Sequence, residues 1–391
     1  MKNKLSSITL ISLVLGIIFG LVFPSYTDSI SFIGTFYITF LKYMIVPVVF
    51  TSITISIFDS RKQKSNLILK SILLFIVLFV STFLITSILV LLINPSSGFV
   101  FDNTDWSGTT TQLNIKDILL NLIPKDLNKF LTGSYLFSVI LMSFILGYIL
   151  SKFEKGDIVI DFIRKIKDLL FKILEYFMYL TPLAVFSLIS NTISKYGSVF
   201  LGVGVKYILT AYLCVLVSLI VVMIIPVSII GKMSPMTFIK KIYKIWLMTI
   251  TTCSSSATLP YTIKICKEEF NIPSKITDVV VPLGCTIHMC GGAVSFALLG
   301  IFCTKLFGVE LTLSRYMLML ISSVLINMGA PGIPNGGVVI GATYLQILGI
   351  PLDFIGFYSG IYKLLDMVYT TLNVTGDVVA DVIINQLNKQ G

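Results

Sequence analysis

TTCSSSATLP, residues 251–260, interrupts a moderately apolar segment that runs from 236 to 266. A run of threonines and serines ending in Pro260 is turn and helix-cap chemistry, not the interior of a membrane helix. The two arms on either side are each roughly 12–15 residues, too short to cross a bilayer singly. The pattern recurs further on, where segment 315–346 is broken at NMGAPGIPNGG, residues 327–337. Irregular backbone at membrane depth survives only where protein or a water-filled cavity covers it. Paired interruptions of this kind point to re-entrant hairpins around a midplane binding site of a secondary transporter. Two kinked helices of a passive channel or scaffold are the plainer alternative.

The rest of the chain supplies the membrane context. Of its 391 residues 55% are hydrophobic and only 12% charged, and mean hydropathy is +0.95. Soluble domains carry roughly twice that charge. Spans are expected near 7–24, 31–57, 67–94, 134–152, 165–195 and 199–231, with a kink at Thr181-Pro182 and a polar outer loop, SSGFVFDNTDWSGTTTQ, after the third. The first apolar run follows Lys2 and Lys4 but no small-residue cleavage site succeeds it, so it reads as a retained helix, not a signal peptide. The net charge of +10 is topological. Lys and Arg fall in alternate loops, at 61–64, 152–167 and 232–244, which places both termini in the cytoplasm of a multi-pass cell-membrane protein and argues against a nucleic-acid partner. The six cysteines lack paired extracellular spacing, so no disulfide framework is expected.

Between the two breaks a full-length span, about 273–304, contains TIHMCGGAV, residues 286–294, with the chain's only histidine, His288. Three readings compete for it. A metal site from Cys285, His288 and Cys290 has tolerable ligand types but not a usual zinc spacing. A proton site suits an imidazole, which titrates near neutrality. A helix break also tolerates a neutral histidine. The last span, about 352–386, holds GIYKLLDMVYTTLNVTGDVVADVII, residues 360–384, where Asp366, Thr370, Asn373 and Asp377 share one helical face. Tyr362 and Tyr369 flank that stripe on one side and Lys363 on the other. Carboxylates inside a membrane are expensive unless paired, so the stripe points to cations or an ammonium-bearing substrate. An internal Lys363–Asp366 pair is the bland alternative.

SSSATLP at 254–260, GIP within GAPGIPNGG at 329–337, and LDMVYTTLNVTGD at 365–377 resemble the dicarboxylate/amino acid:cation symporters, the family of the excitatory amino acid transporters and their prokaryotic relatives. The resemblance covers nearly the whole chain. It implies an all-α polytopic membrane protein with eight transmembrane helices, two re-entrant hairpins and inverted repeats, working as an elevator within a homotrimer. Residues 1–66 and 134–198 would form the scaffold, and 67–133 with 199–391 the transport domain. The implied ligand is a small-molecule amino acid, with membrane lipid around the protein, no cofactor, and Na+ and/or H+ as coupling ions. Substrate would lie among Ser254, Ser255 and Ser256 of the first hairpin, Ile333, Pro334 and Gly337 of the second, Gly292 in the span-7 break, and Asp366, Tyr369, Thr370 and Asn373 of span 8. Asp366 matches the carboxylate that receives the amino group, and Asn373 the amide that holds the α-carboxylate. Gly284, His288, Asn373 and Asp377 match one sodium site. Thr286, Met289, Asn327, Met328 and Ala330 match a second. Unwound segments supply free carbonyls for such hard cations.

Departures from the family pattern carry as much information. Its span-7 motif, Asn-Met-Asp-Gly-Thr, reads here His288-Met289-Cys290-Gly291-Gly292. The positions of a third sodium site fall on Phe75, Leu78 and Phe79, which cannot coordinate sodium. The acidic residue four before Asp366 is Tyr362. The arginine that reads an acidic side chain is replaced by Tyr369, and the arginine found in some relatives before the hairpin serines by Cys253. Without either guanidinium a second substrate carboxylate lacks its bidentate partner, so a neutral amino acid is expected. Lys363 is read either as a tethered cation that stands in for a lost ion or as a snorkelling side chain. His288 is read as a proton-coupling group or as a neutral residue lending only its carbonyl to the Asp377 site. The alternative to a coupled symporter is a degenerate homologue acting as an uncoupled leak channel or substrate sensor. An intramembrane enzyme is set aside, because the hairpin serines have no base or oxyanion arrangement beside them in sequence.

Overall fold

The computed structural model describes residues 2–62, 66–98, 136–197, 199–327 and 336–389, and its regular elements are all helical. Helices α1 (Lys2–Val22) and α2 (Thr27–Lys62) meet at a helical turn, Pro24–Tyr26, where segments 11–22 and 24–40 are bent by 109°. Helix α3 (Asn66–Ile93) follows. The polar outer loop lies outside the described residues beyond Gly98. Next come α4 (Leu136–Leu150), α5 (Gly156–Phe177) and α6 (Thr181–Tyr196).

The expected fifth span, 165–195, is two helices. A turn at Met178–Leu180 divides α5 from α6, and Pro182 sits in the first turn of α6, where its missing N–H is no loss. Helix α5 begins earlier than expected and carries Asp157, Asp161, Arg164, Lys165, Lys167, Asp168 and Lys172 around an apolar stripe. That is the pattern of a surface helix, not a span.

Helix α7 (Val199–Ser218) runs through a π-helical segment, Leu219–Ile224, into Ile225–Ile229. Pro226 cannot donate a hydrogen bond into that widened turn. Among the described residues, four stretches are long and apolar enough to cross a membrane: Leu67–Ile93, Leu201–Ile229, Ser274–Leu306 and Asp353–Asn388. Long helices expose large apolar side chains outward, among them Leu73, Val77, Ile88 and Leu92 on α3 and Val205, Leu209 and Leu216 on α7. Water would penalise such a surface, whereas lipid accepts it. The chain is a multi-pass membrane protein.

Helices α1 and α2 close on α6 through small residues. Ser190 Oγ donates to Gly16 O at 3.1 Å, Gly34 N–H donates to Ser187 Oγ at 3.2 Å, and Tyr37 and Thr181 share a hydroxyl contact at 2.9 Å. A Cβ on Gly16 would come within 2.9 Å of the Phe186 carbonyl oxygen. Between helices that gain nothing from leaving lipid, such close backbone approach and hydroxyl bonding supply the association.

The C-terminal part is built around one 36-residue helix, α14 (Asp353–Asn388). Against it pack α8 (Pro235–Thr252) and α9 (Ser255–Glu268), α10 (Ser274–Ile287) and α11 (Cys290–Leu306), and α13 (Gly336–Ile347); α12 (Leu313–Asn327) packs on α11 and α13. At 18 residues α8 is longer than the arm the sequence suggested. It ends at Cys253, a non-glycine in the left-handed region with φ 48°, whose N–H donates to Thr249 O at 2.8 Å. Ser254 then caps α9 by accepting the Ala257 N–H at 3.2 Å. The caps explain why this stretch is a turn. Trp246 Nε1 donates to Thr375 Oγ1 at 2.8 Å, and Thr249 meets Thr371 at 2.8 Å, fastening α8 to α14. At the base of the pair, Lys244 Nζ donates to Glu269 Oε1 at 2.8 Å, which holds the Glu269 carboxyl below its ordinary range.

Candidate functional site

A small cleft opens where the α8–α9 turn, the start of α11, the end of α12, α13 and the middle of α14 converge. The turn contributes Cys253 and Ser255, and the α10–α11 break contributes Met289, Gly291, Gly292, Ser295 and Phe296. Asn327, Gly337 and Ile340 come from α12 and α13, and Tyr362, Asp366, Tyr369, Thr370 and Asn373 from α14. The α10–α11 break is two extended residues, His288 (φ −119°, ψ 102°) and Met289 (φ −128°, ψ 83°). A helix stopped and restarted at this depth turns backbone groups toward the cleft.

Asn373 accepts the Gly291 N–H on Oδ1 at 2.7 Å, which leaves its amide NH2 as the group that can donate into the cleft. Thr370 Oγ1 donates to Asp366 Oδ1 at 3.1 Å. Asn327 Nδ2 donates to Ile287 O at 3.4 Å, while Asn327 Oδ1 is buried without a partner among the described residues. Among the described residues that line it, only Asp366 is charged, and none is Arg or Lys. Lys363, at its edge, donates from Nζ to Cys253 Sγ at 3.0 Å. Gly291 is required by packing, since a Cβ there would fall on the backbone of Tyr369. A Cβ on Gly292 would come within 2.7 Å of Asn327 Oδ1, so a larger residue at 292 demands that Asn327 move.

His288 points away from the cleft. Its Nδ1 lies 3.0 Å from Asp377 Oδ1 and its Nε2 3.0 Å from Cys290 Sγ. Its ring stacks on Phe75 with centroids 4.5 Å apart and 14° between planes, and Gly376 lies under the ring, with Cε1 2.5 Å from where a Cβ would be. Gly284 abuts Asp377 Oδ1, the oxygen that His288 meets, and its carbonyl accepts the His288 N–H at 2.8 Å. Among the described residues no group of three His, Cys, Asp or Glu side chains is placed to hold a metal, and both ring nitrogens already have protein partners. The Cys285–His288–Cys290 metal reading therefore falls.

The residues singled out in the sequence divide between these two centres. Ser255, Met289, Gly292, Asn327, Gly337, Asp366, Tyr369, Thr370 and Asn373 line the cleft. Gly284, His288 and Asp377 form the deeper cluster. Ser254 is occupied as a helix cap, and Ser256 lies beside Cys285. Thr286 is exposed, with its hydroxyl bonded back to Leu283 O at 2.7 Å, outside the cleft lining. Met328, Ala330, Ile333 and Pro334 lie outside the described residues. Sequence reasoning did not assign Cys253, Gly291, Ser295, Phe296, Ile340 or Tyr362 to the cleft. Ser295 follows Gly291, and Phe296 follows Gly292, by four residues, the one-turn spacing that would have found them.

The helical architecture and the convergence of two broken elements on a carboxylate-and-amide face define a membrane transporter. The profile of the Sodium:dicarboxylate symporter family matches residues 5–387, and the chain belongs to that family; it is a transporter, not an enzyme. It is 25% identical to the "Proton/glutamate-aspartate symporter" of Bacillus subtilis (strain 168), covering 100% of this chain and 96% of the relative. It is 26% identical to the "Proton/sodium-glutamate symport protein" of Geobacillus stearothermophilus, over 97% of this chain and 93% of the relative. "Excitatory amino acid transporter 3" of Oryctolagus cuniculus is 24% identical, over 100% of this chain and 86% of the relative.

Proposed function

We propose that the chain is a secondary-active symporter that takes up a neutral amino acid, driven by sodium, protons or both, through an elevator mechanism. The observation that carries this reading is a cleft that pairs the Asp366 carboxylate with the donating Asn373 amide and has no guanidinium among the described residues lining it. The substrate ammonium meets Asp366, held by Thr370, and the α-carboxylate meets the Asn373 amide and Ser255. The substrate side chain then faces Cys253, Tyr362, Tyr369 and Phe296, which offer no charge partner to a second carboxylate. Relatives named for glutamate and aspartate make acidic selectivity the competing outcome.

In this reading eight spans and two re-entrant hairpins sit in the cell membrane as a homotrimer surrounded by lipid, with both termini cytoplasmic. Residues 1–66 and 134–198 form the scaffold, supported by the packing of α1 and α2 on α6 and of α2 on α4. Residues 67–133 and 199–391 form the moving domain, supported by the packing of α3 and α8 to α11 around α14. Asp377 with the carbonyls of Gly284, His288 and Asn373 is the first cation site. Met289, Thr286, Asn327, Met328 and Ala330 are the second. One observation favours an uncoupled leak channel or sensor instead: the His288 ring and Phe75 fill space beside Asp377 that a coupling cation would share.

The test is thermal-shift screening of amino acids in sodium and in potassium at several pH values, followed by uptake in proteoliposomes. Serine, alanine or cystine should stabilise the protein and accumulate against a gradient. Preference for aspartate over these three would refute the neutral-substrate reading, and substrate flux that only follows its own gradient would establish the leak. Lys363→Met should change the number or identity of coupled ions if Lys363 is a tethered cation; unchanged coupling removes that role.

A further inference from the structure

The carboxylate stripe on α14 does not end at Asp377. One turn further, Asp381 is wholly buried, with 0% of its surface exposed. Its Oδ2 accepts the Thr277 hydroxyl at 2.8 Å, while its Oδ1 has no oxygen or nitrogen partner among the described residues. Every titratable or charged neighbour can be named. Asp377 precedes it on the same helix, the Cys266 thiol faces it from α9, and Asp278 lies near it at the start of α10. None of these brings a positive charge to the carboxylate. Lys267, which pairs with Asp278 at 2.6 Å, is engaged there and not with Asp381.

An isolated carboxylate in such a place must take up either a metal ion or a proton. The surroundings decide between them. Sodium needs several hard oxygen ligands, and here there are one carboxylate, a hydroxyl already donating its proton, and a soft thiol. A proton needs only the open Oδ1. Asp278, whose side chain is 51% exposed, lies near Asp381 at the start of α10, so the buried acid sits close to a residue that meets bulk water.

We propose that Asp381 is the group that carries a coupled proton, an assignment that rests on the symporter reading above. The O–H bond forms at Oδ1 as a proton arrives from water on one side. It breaks as the proton passes by Thr277 and Asp278 to water on the other. No electron transfer is involved, and the proton is conserved.

The test compares wild type with Asp381→Asn by two measurements. Infrared difference spectra of the purified protein, titrated from acid to neutral pH, should show a protonated-carboxyl band that comes and goes in wild type and is missing in the variant. Identical titrations in the two proteins would overturn the assignment. Proteoliposomes loaded with a pH-sensitive dye and given serine, alanine, cystine or aspartate should show proton entry with uptake in wild type. In Asp381→Asn, substrate should still exchange, with proton entry lost. Proton entry per substrate equal to wild type would also overturn it. If wild type moves none of these amino acids, the symporter reading fails while the infrared result still decides whether Asp381 titrates. Thr277→Val guards against a variant that does not fold. It removes a donor to the charged form, so the band's midpoint should rise by about one to two pH units; an unmoved midpoint refutes the assignment.

Discussion

The contact between His288 and Asp377 should be among the most strongly coupled pairs in the chain. Their side chains are 0% and 3% exposed and 3.0 Å apart, so the modest worth of surface pairs does not apply. His288→Leu removes the donor and leaves a buried carboxylate without it, which costs about 3–5 kcal/mol. Loss of the stack on Phe75 adds about 0.5–1.5 kcal/mol. Asp377→Asn keeps an oxygen that can accept and loses only the charge assistance, roughly 1–2 kcal/mol. In the double variant the leucine faces an amide, not a carboxylate. Its cost should be about 2–4 kcal/mol, below the sum of the single changes by at least about 2 kcal/mol. Unfolding of the four proteins by denaturant titration in detergent micelles measures the cycle. Costs that add to within about 0.5 kcal/mol would show that the two side chains are neighbours without being partners. Sodium extends the test. If Asp377 holds a cation, the His288→Leu protein should regain about 2.7 kcal/mol at a hundredfold excess of sodium over its dissociation constant, and wild type less.

Further predictions follow from the same geometry. Asn373→Asp keeps the acceptor for the Gly291 N–H but replaces the donating amide with a negative charge, so folding should survive and uptake of any amino acid should fall at least about tenfold. Tyr369→Arg restores a guanidinium to the cleft and should raise the ratio of aspartate to serine uptake by roughly 10- to 100-fold; an unchanged ratio would mean that the side-chain pocket lies elsewhere. Gly284→Ala places a methyl on Asp377 Oδ1, which the His288 contact prevents from rotating freely, so melting should fall by the equivalent of about 1–3 kcal/mol. Glu269, with its carboxyl lowered by Lys244, contributes stability that is present above the ordinary carboxylate range and lost as pH falls through the lowered value. Lys244→Met should flatten that acid limb in thermal melts.

The first interruption was legible because the residues that break a helix are local: Ser254 caps, and Pro260 falls within the first turns of α9. Most of the second, where Gly and Pro crowd 327–337, lies outside the described residues. The α14 stripe was legible because 3.6-residue periodicity places Asp366, Thr370, Asn373 and Asp377 together without tertiary information. Asp381 obeys the same spacing and was within reach of that argument. What could not be read was direction. His288 lies two residues from Cys290 but pairs with Asp377, 89 positions away, and only the course of the break decides which side of α14 the ring faces. The division of 165–195 into α5 and α6 has a different cause: apolar length alone does not separate the two, while the charged residues recurring around α5 mark a surface helix.

His288 is the only imidazole in 391 residues. Any imidazole signal in a nitrogen-15 spectrum of this protein, purified through a tag without histidine, therefore reports one address: the break between α10 and α11. The signal needs no engineered label and no assignment experiment. It would change when Asp377 exchanges its partner, when Phe75 moves off the ring, or when Cys290 is modified. A residue that looks like a substitution within its family thus doubles as a native sensor at the break between α10 and α11, beside the cleft.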